Sequence, residues 1–174
     1  MRALRRKVVL TPFLLLFAGC GFRLRGTASV PFETLYVPGA TSGIALDLKR
    51  NIQAGTNARV VDDAKKADAV MEFTEESRQK EILSLTGTGR VREFQLRYRV
   101  GFRVHDGKGA DFVARNTIQL TRDVTFNDAD ILAKEQEEQL LFRDMQSDMV
   151  QQILRRLAAA KPASKAPSTP ALQQ

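Results

Sequence analysis

Five arginines fall within fourteen residues: Arg90, Arg92, Arg97, Arg99 and Arg103. A guanidinium presents a rigid fork of donors that matches a phosphate or carboxylate in bidentate fashion. Through the same segment Phe94, Leu96, Tyr98, Val100, Phe102 and Val104 alternate without a miss. A period of two means a strand with one face on a core, so Gln95, Arg97, Arg99 and Arg103 share its outer face. Arg90 and Arg92 stand at its start, beside a Thr86-Gly87-Thr88-Gly89 turn. Two readings are open. The cluster binds an anion or a partner, or its members pair with Glu72, Glu76 and Glu93 or simply face water, as exposed ion pairs commonly do.

No comparable group of residues points to catalysis. The one histidine, His105, falls in a hairpin turn, whereas a triad or a metal site needs convergent partners. Glu75 and Glu76 are neighbours in sequence, as are Glu137 and Glu138, so neither pair faces one substrate as acid and base. The Thr86–Gly89 turn with Arg90 lacks the spacing and the following helix of a P-loop. The chain is expected to be no enzyme and to need neither metal nor cofactor.

The N-terminus supplies a location. Arg2, Arg5, Arg6 and Lys7 precede an apolar run, Val8 to Ala18, interrupted only by Thr11 and Pro12. A basic stretch, a short apolar stretch and a small residue before the cut make a secretory signal peptide, expected over 1–19. Phe17-Ala18-Gly19-Cys20 resembles a bacterial lipobox, with Phe17 where an aliphatic residue is usual. Cys20, the only cysteine, is then the acylated first residue of the mature chain. Multiple acyl chains make a stable anchor where one holds marginally. Gly21 in place of Asp favours the outer membrane, with the body of the protein in the periplasm. The abundant anionic amphiphile there is lipopolysaccharide, which carries phosphates for arginine forks to bind.

Removing 1–19 takes four basic residues and leaves 23 Lys and Arg against 20 Asp and Glu, a net charge near +3. Most of the basicity belongs to the signal peptide, and the domain-wide excess of a nucleic-acid binder is missing. The remaining length suits one core and one domain, 20–157. From Ala158 to Gln174 the chain is Ala- and Pro-rich with almost nothing to bury, and disorder is expected.

The elements that must position the arginines follow from periodicity. Thr34–Val37 reads as a strand stopped by Pro38-Gly39. Ile44, Leu48 and Ile52 place a helix over Ile44–Gln53, capped by Thr41 or Ser42. Arg59–Val61 is a candidate short strand, and Ala69–Thr74 a stronger one that continues half-exposed to Leu85. The Phe94–Val104 strand turns at His105–Gly109 and returns over Phe112–Phe126. Its inward positions are expected at Phe112, Ala114, Ile118, Leu120, Val124 and Phe126. A helix from Asp130 to Leu157 closes the domain, capped by Asn127 or Asp128, with Ile131, Leu141, Met145, Met149 and Ile153 on or near one stripe. The order β-α-β-β-β-α predicts an α+β two-layer sandwich, a mostly antiparallel sheet with two helices on one face.

Three segments in this order resemble the LptE family of lipopolysaccharide-assembly lipoproteins. They are Cys20-Gly21-Phe22-Arg23-Leu24-Arg25-Gly26, Arg90-Val91-Arg92-Glu93-Phe94-Gln95-Leu96, and Leu132–Glu138 followed by Met145 and Asp148. The resemblance implies a plug and assembly partner for the LptD β-barrel, inserting lipopolysaccharide into the outer leaflet. It carries lipopolysaccharide binding to Arg90, Arg92 and Lys134, although Glu135, Glu137 and Glu138 crowd Lys134. It makes Gln95, Arg97, Arg99 and Arg103 the barrel-facing row. The competing reading is a periplasmic adaptor lipoprotein of another envelope lipid-transport system.

Overall fold

A computed structural model describes residues 28–162, 164 and 165. The expected signal peptide, Cys20 with its flanking motif, and the chain beyond 165 lie outside the described residues. The elements are β1 (Thr34–Tyr36), α1 (Gly43–Gly55), β2 (Arg59–Val61), β3 (Ala69–Leu85), β4 (Val91–His105), β5 (Ala110–Thr125), α2 (Ile131–Ala158) and β6 (Ser164–Lys165). Short 3₁₀ turns at Ala64–Lys66 and Asp128–Asp130 lead into β3 and α2. The sheet order is β2-β1-β3-β4-β5-β6. β1 is parallel to β2 and β3, while β3, β4, β5 and β6 pair antiparallel in turn. Parallel neighbours need a crossover, and α1 supplies it between β1 and β2.

The alternation in β4 is realised from Leu96 to Val104, with Phe94 half-buried. Leu96, Tyr98, Val100, Phe102 and Val104 are all completely buried. They meet Leu35 and Met71 of the sheet, Ile44, Leu48 and Ile52 of α1, and Met145, Met149, Ile153 and Leu157 of α2. The four-residue spacing in α1 thus does what it predicts, and both helices cover one face of the sheet. The architecture is the expected α+β two-layer arrangement, with the candidate strand Arg59–Val61 as its short outer edge.

Several details differ from expectation. Ile131 is 50% exposed, because α2 starts over the far end of the β3–β4 hairpin and its buried residues begin only at Met145. Ala114 is exposed, because the β4–β5 register shifts between Phe102 and Val104, so a strict period of two breaks there. Ser42 is the N-cap residue of α1 but makes no side-chain cap bond. Asn127 caps the 3₁₀ turn by accepting the Ala129 N–H at 3.2 Å, and Asp130 is the N-cap residue of α2, which begins at Ile131. Within the Ala- and Pro-rich tail, Ala158 completes α2 and Ser164–Lys165 pair with Asp111 and Ala110.

Candidate partner-binding faces

The face of the sheet away from the helices carries the predicted row. Gln95, Arg97, Arg99 and Arg103 stand there together, flanked by side chains of β3 and β5. Arg97 makes a bidentate pair with Glu81, at 2.8 and 3.0 Å, and Arg103 donates to Glu72 at 2.6 Å. Arg99 lies 3.6 Å from Glu75 and donates to Gln119 Oε1 at 2.7 Å. Gln95 Nε2 donates to Asp123 at 3.1 Å. The arginines therefore do pair across the sheet, but with partly different acids from those expected. Glu72 is one. Glu76 turns to the helix side and accepts from Tyr98 Oη at 2.8 Å, while Glu93 accepts from Ser84 at 2.6 Å. A bulge between Phe73 and Glu75 is the cause: it moves Glu75 to the open face beside Glu72 and sends Glu76 to the other.

The result is a polar, largely self-neutralised surface, half-exposed and without large apolar side chains along the row. Such a surface suits contact with polar groups and water more than a free phosphate, because each row arginine already has an acceptor.

The other predicted group gathers at the opposite end of the hairpin. The β3–β4 turn is closed by Thr86 N–H donating to the Arg90 carbonyl at 2.7 Å, with Gly89 at φ +80°. A glycine takes that left-handed conformation without the Cβ penalty. Arg90 and Arg92 are both exposed. The Arg92 carbonyl accepts the Phe126 N–H at 2.8 Å, and Lys134 Nζ reaches the hydroxyl of the preceding Thr125 at 3.2 Å. Chain pairing thus brings Arg90, Arg92 and Lys134 to one end of the molecule. Lys134 is held by Glu137 at 2.8 Å, and Glu138 is engaged by Lys80 at 2.6 Å, so two of the three crowding acids are already paired.

Sequence reasoning missed what surrounds these cations. Ile82, Leu83, Leu85, Ile131, Leu132 and Leu140 are 47–70% exposed, all on the outer half of the hairpin or the first half of α2. The signal was present: Ile82-Leu83 breaks the alternation of a half-exposed strand with two adjacent apolar residues. A part-exposed polar relay was missed too. Asp47 of α1 accepts from Gln146 of α2 at 2.5 Å, Gln146 accepts from Arg78 of β3 at 2.5 Å, and the Arg78 guanidinium lies 4.8 Å from the Tyr98 ring. Burial first, then the Glu76 carboxylate, pushes the Tyr98 phenol well above its ordinary range, so it stays a donor. This relay joins both helices to the sheet.

His105 is half-buried, its Nδ1 accepting the Gly107 N–H at 3.0 Å and its Nε2 3.8 Å from Glu72. It borders a shallow, mainly apolar groove lined by Tyr36, Pro38, Val70 and Phe73. Among the described residues no three His, Cys, Asp or Glu side chains are grouped to hold a metal ion.

A small α+β sheet that pairs one polar open face with an end where cations and exposed apolar residues meet has the surface chemistry of a binding or assembly protein. Residues 29–157 match the LptE family, described as lipopolysaccharide-assembly. The chain belongs to that family and is an assembly lipoprotein, not an enzyme. It is 31% identical over 152 residues to the LPS-assembly lipoprotein LptE of Yersinia pestis (strain Pestoides F), covering 83% of this chain and 70% of that protein. It is 26% identical to the protein of the same name from Photorhabdus laumondii subsp. laumondii, covering 87% and 84% of the two chains. Its fold resembles the solution structure of uncharacterized lipoprotein B from Nitrosomonas europaea, with TM-score 0.69 and 46% identity over 80% of this chain and 91% of that one. Family membership decides against the adaptor of another transport system.

Proposed function

We propose that the chain sheds residues 1–19, is anchored at the outer membrane through acylated Cys20, and occupies an LptD β-barrel as plug and assembly partner during lipopolysaccharide insertion. The anchored domain is 20–157, followed by the tail 158–174. The polar row on the open face is the observation that carries this reading. The interior of a membrane barrel is polar, and a plug must meet it with polar groups. Gln95, Arg97, Arg99 and Arg103 offer donors whose charge is balanced by Glu72, Glu75 and Glu81. A surface of that kind exchanges partners at little electrostatic cost.

The direction of the chain supports it. Ala28 pairs with Thr56, just past the end of α1 and before the start of β1, while β3 runs from that region to the Thr86–Gly89 turn. Ala28 and the basic, apolar hairpin end therefore lie toward opposite ends of β3, whose 17 residues span roughly 55 Å at about 3.3 Å per residue. Arg90, Arg92 and Lys134 stand at the hairpin end of the domain. These three residues, beside Leu85, Ile131 and Leu132, would receive the phosphates and acyl chains of lipopolysaccharide. The test is purification of the tagged chain from outer membranes in mild detergent, with its companions identified by mass spectrometry. A near-stoichiometric large barrel protein is expected. An inner-membrane transporter in its place would refute the reading.

A further inference from the structure

Four strand pairings line up one row of residues across the sheet. Tyr36 of β1 pairs with Val70, Val70 with His105, His105 with Asp111, and Asp111 with Ser164 of β6. The neighbours Leu35, Ala69, Met71 and Val104 are buried under the helices, so Tyr36, Val70 and His105 point to the open face. One end of the row holds the shallow groove of Tyr36, Pro38, Val70, Phe73 and His105, all half-exposed. It lies along β3 just past Tyr36, where β1 stops pairing and turns away through Pro38-Gly39. Its acidic rim residue, Glu72, is engaged by Arg103 at 2.6 Å, so the rim is close to neutral.

The other end of the row is where the described chain leaves the sheet. β6 runs antiparallel to β5, with Ser164 on Asp111 and Lys165 on Ala110, so it heads off the end marked by the His105–Gly109 turn. The sequence continues past Lys165 through 166–174 with Pro167, Pro170 and Leu172 and no charged side chain. These nine residues in polyproline II conformation reach roughly 28 Å at about 3.1 Å each. The row from Ser164 to Tyr36 crosses four strand spacings, roughly 19 Å at about 4.8 Å each. The segment is long enough to pass β5 and β4 and enter the groove.

We propose that residues 166–174 cross this end of the sheet and seat Pro167, Pro170 and Leu172 in the groove. The two prolines are three residues apart, the period of polyproline II, so both stand on one side of such a segment. Aromatic-lined grooves take Pro-x-x-Pro segments in that conformation, which has little entropy left to lose. Prolines lack an N–H, so the contact is made by side chains and is not strand addition to β3. An uncharged segment meets a near-neutral rim, and apolar contact decides the match. Tethering through β6 gives the segment an effective concentration in the millimolar range, so even a weak contact is populated. This contact is separate from the plug reading and does not depend on a barrel being bound.

The experiment places a photo-crosslinking amino acid at Tyr36, and separately at His105, in the full chain in its own membrane. Gln119 is the reference position, exposed on the same face but opposite Arg99, away from the row. After illumination, adducts are sized and their crosslinked peptides mapped by mass spectrometry. The Tyr36 and His105 reporters are expected to give adducts of single-chain size at 166–174, roughly fivefold more than Gln119. Pro167→Ser, Pro170→Ser and Leu172→Ser together keep the length of the segment and should remove most of that excess. An adduct with residues 20–27, a second copy, another protein or lipid in place of 166–174 would overturn the proposal. So would the absence of a tail adduct at both positions, or a yield that the triple replacement leaves unchanged.

Discussion

Arg97 of β4 and Glu81 of β3 are diagonal neighbours on the open sheet, Arg97 standing opposite Gln79 and Glu81 opposite Gln95, and are joined by two hydrogen bonds of 2.8 and 3.0 Å, while Arg97 Nε is buried without a partner. The pair is part-exposed, so its net contribution is that of a surface bridge, about 0.2–1 kcal/mol. Arg97→Glu would set two carboxylates diagonally across the strand pair. It should lower the denaturant-unfolding free energy by about 1 kcal/mol, and Arg97→Glu with Glu81→Arg should recover most of it. Urea titrations of the four proteins of the cycle measure both.

Gly101 marks where β3 bulges against β4. A Cβ at this position would sit 2.6 Å from Thr74 Oγ1 and 3.3 Å from Glu75 Cβ. Gly101→Ala should cost about 1–3 kcal/mol by overpacking. Adding Thr74→Ala removes the closest atom and should return at least part of that loss. A cost unchanged by Thr74→Ala would locate the strain elsewhere.

How much of this was legible in the sequence depended on whether local period survived into the fold. The β4 alternation and the Ile44-Leu48-Ile52 spacing did, because each element packs against one continuous layer. The acids beside the arginines were not legible, since the bulge at Phe73/Glu75 reverses the faces of the residues that follow it, up to the next shift at Ile82/Ser84. Strand order was equally hidden: β1 lies between β2 and β3, and no residue pattern in three-residue strands encodes that insertion. The gathering of Arg92 with Lys134 depended on pairing between β4 and β5 and on the start of α2. The family resemblance pointed to both residues, while periodicity alone pointed to neither.

Lys80 ties the hairpin to α2. Its Nζ is 2.6 Å from Glu138 and 4.3 Å from the centre of the Phe94 ring. The first half of α2 buries little, so this contact is expected to govern its local opening. Lys80→Ala should speed amide hydrogen exchange across Ile131–Glu138 severalfold, with a change in global stability of about 1 kcal/mol or less. Uniform acceleration through Met145–Leu157 would contradict it.

Asp68 accepts from the backbone and hydroxyl of Thr34, at 3.0 and 2.7 Å. These bonds, the hydroxyl's first, hold its carboxyl below the ordinary 3.8. A carboxyl lowered in the folded state stabilises the fold above its unfolded pKa and loses that contribution as pH falls through the folded value. Thr34→Val should therefore weaken the protein at neutral pH and flatten the fall in stability below about pH 4. Denaturant midpoints from pH 7 down to pH 2.5 give both quantities.

The central claim is that the Arg97–Arg99–Arg103 face meets a barrel. A photo-crosslinking amino acid at Arg99, introduced into the full chain and activated in intact cells, tests it most directly. The account predicts one major adduct with a large outer-membrane β-barrel protein, identified by mass spectrometry. A folded, membrane-located chain that gives no such adduct, or one only with an inner-membrane component, would contradict it.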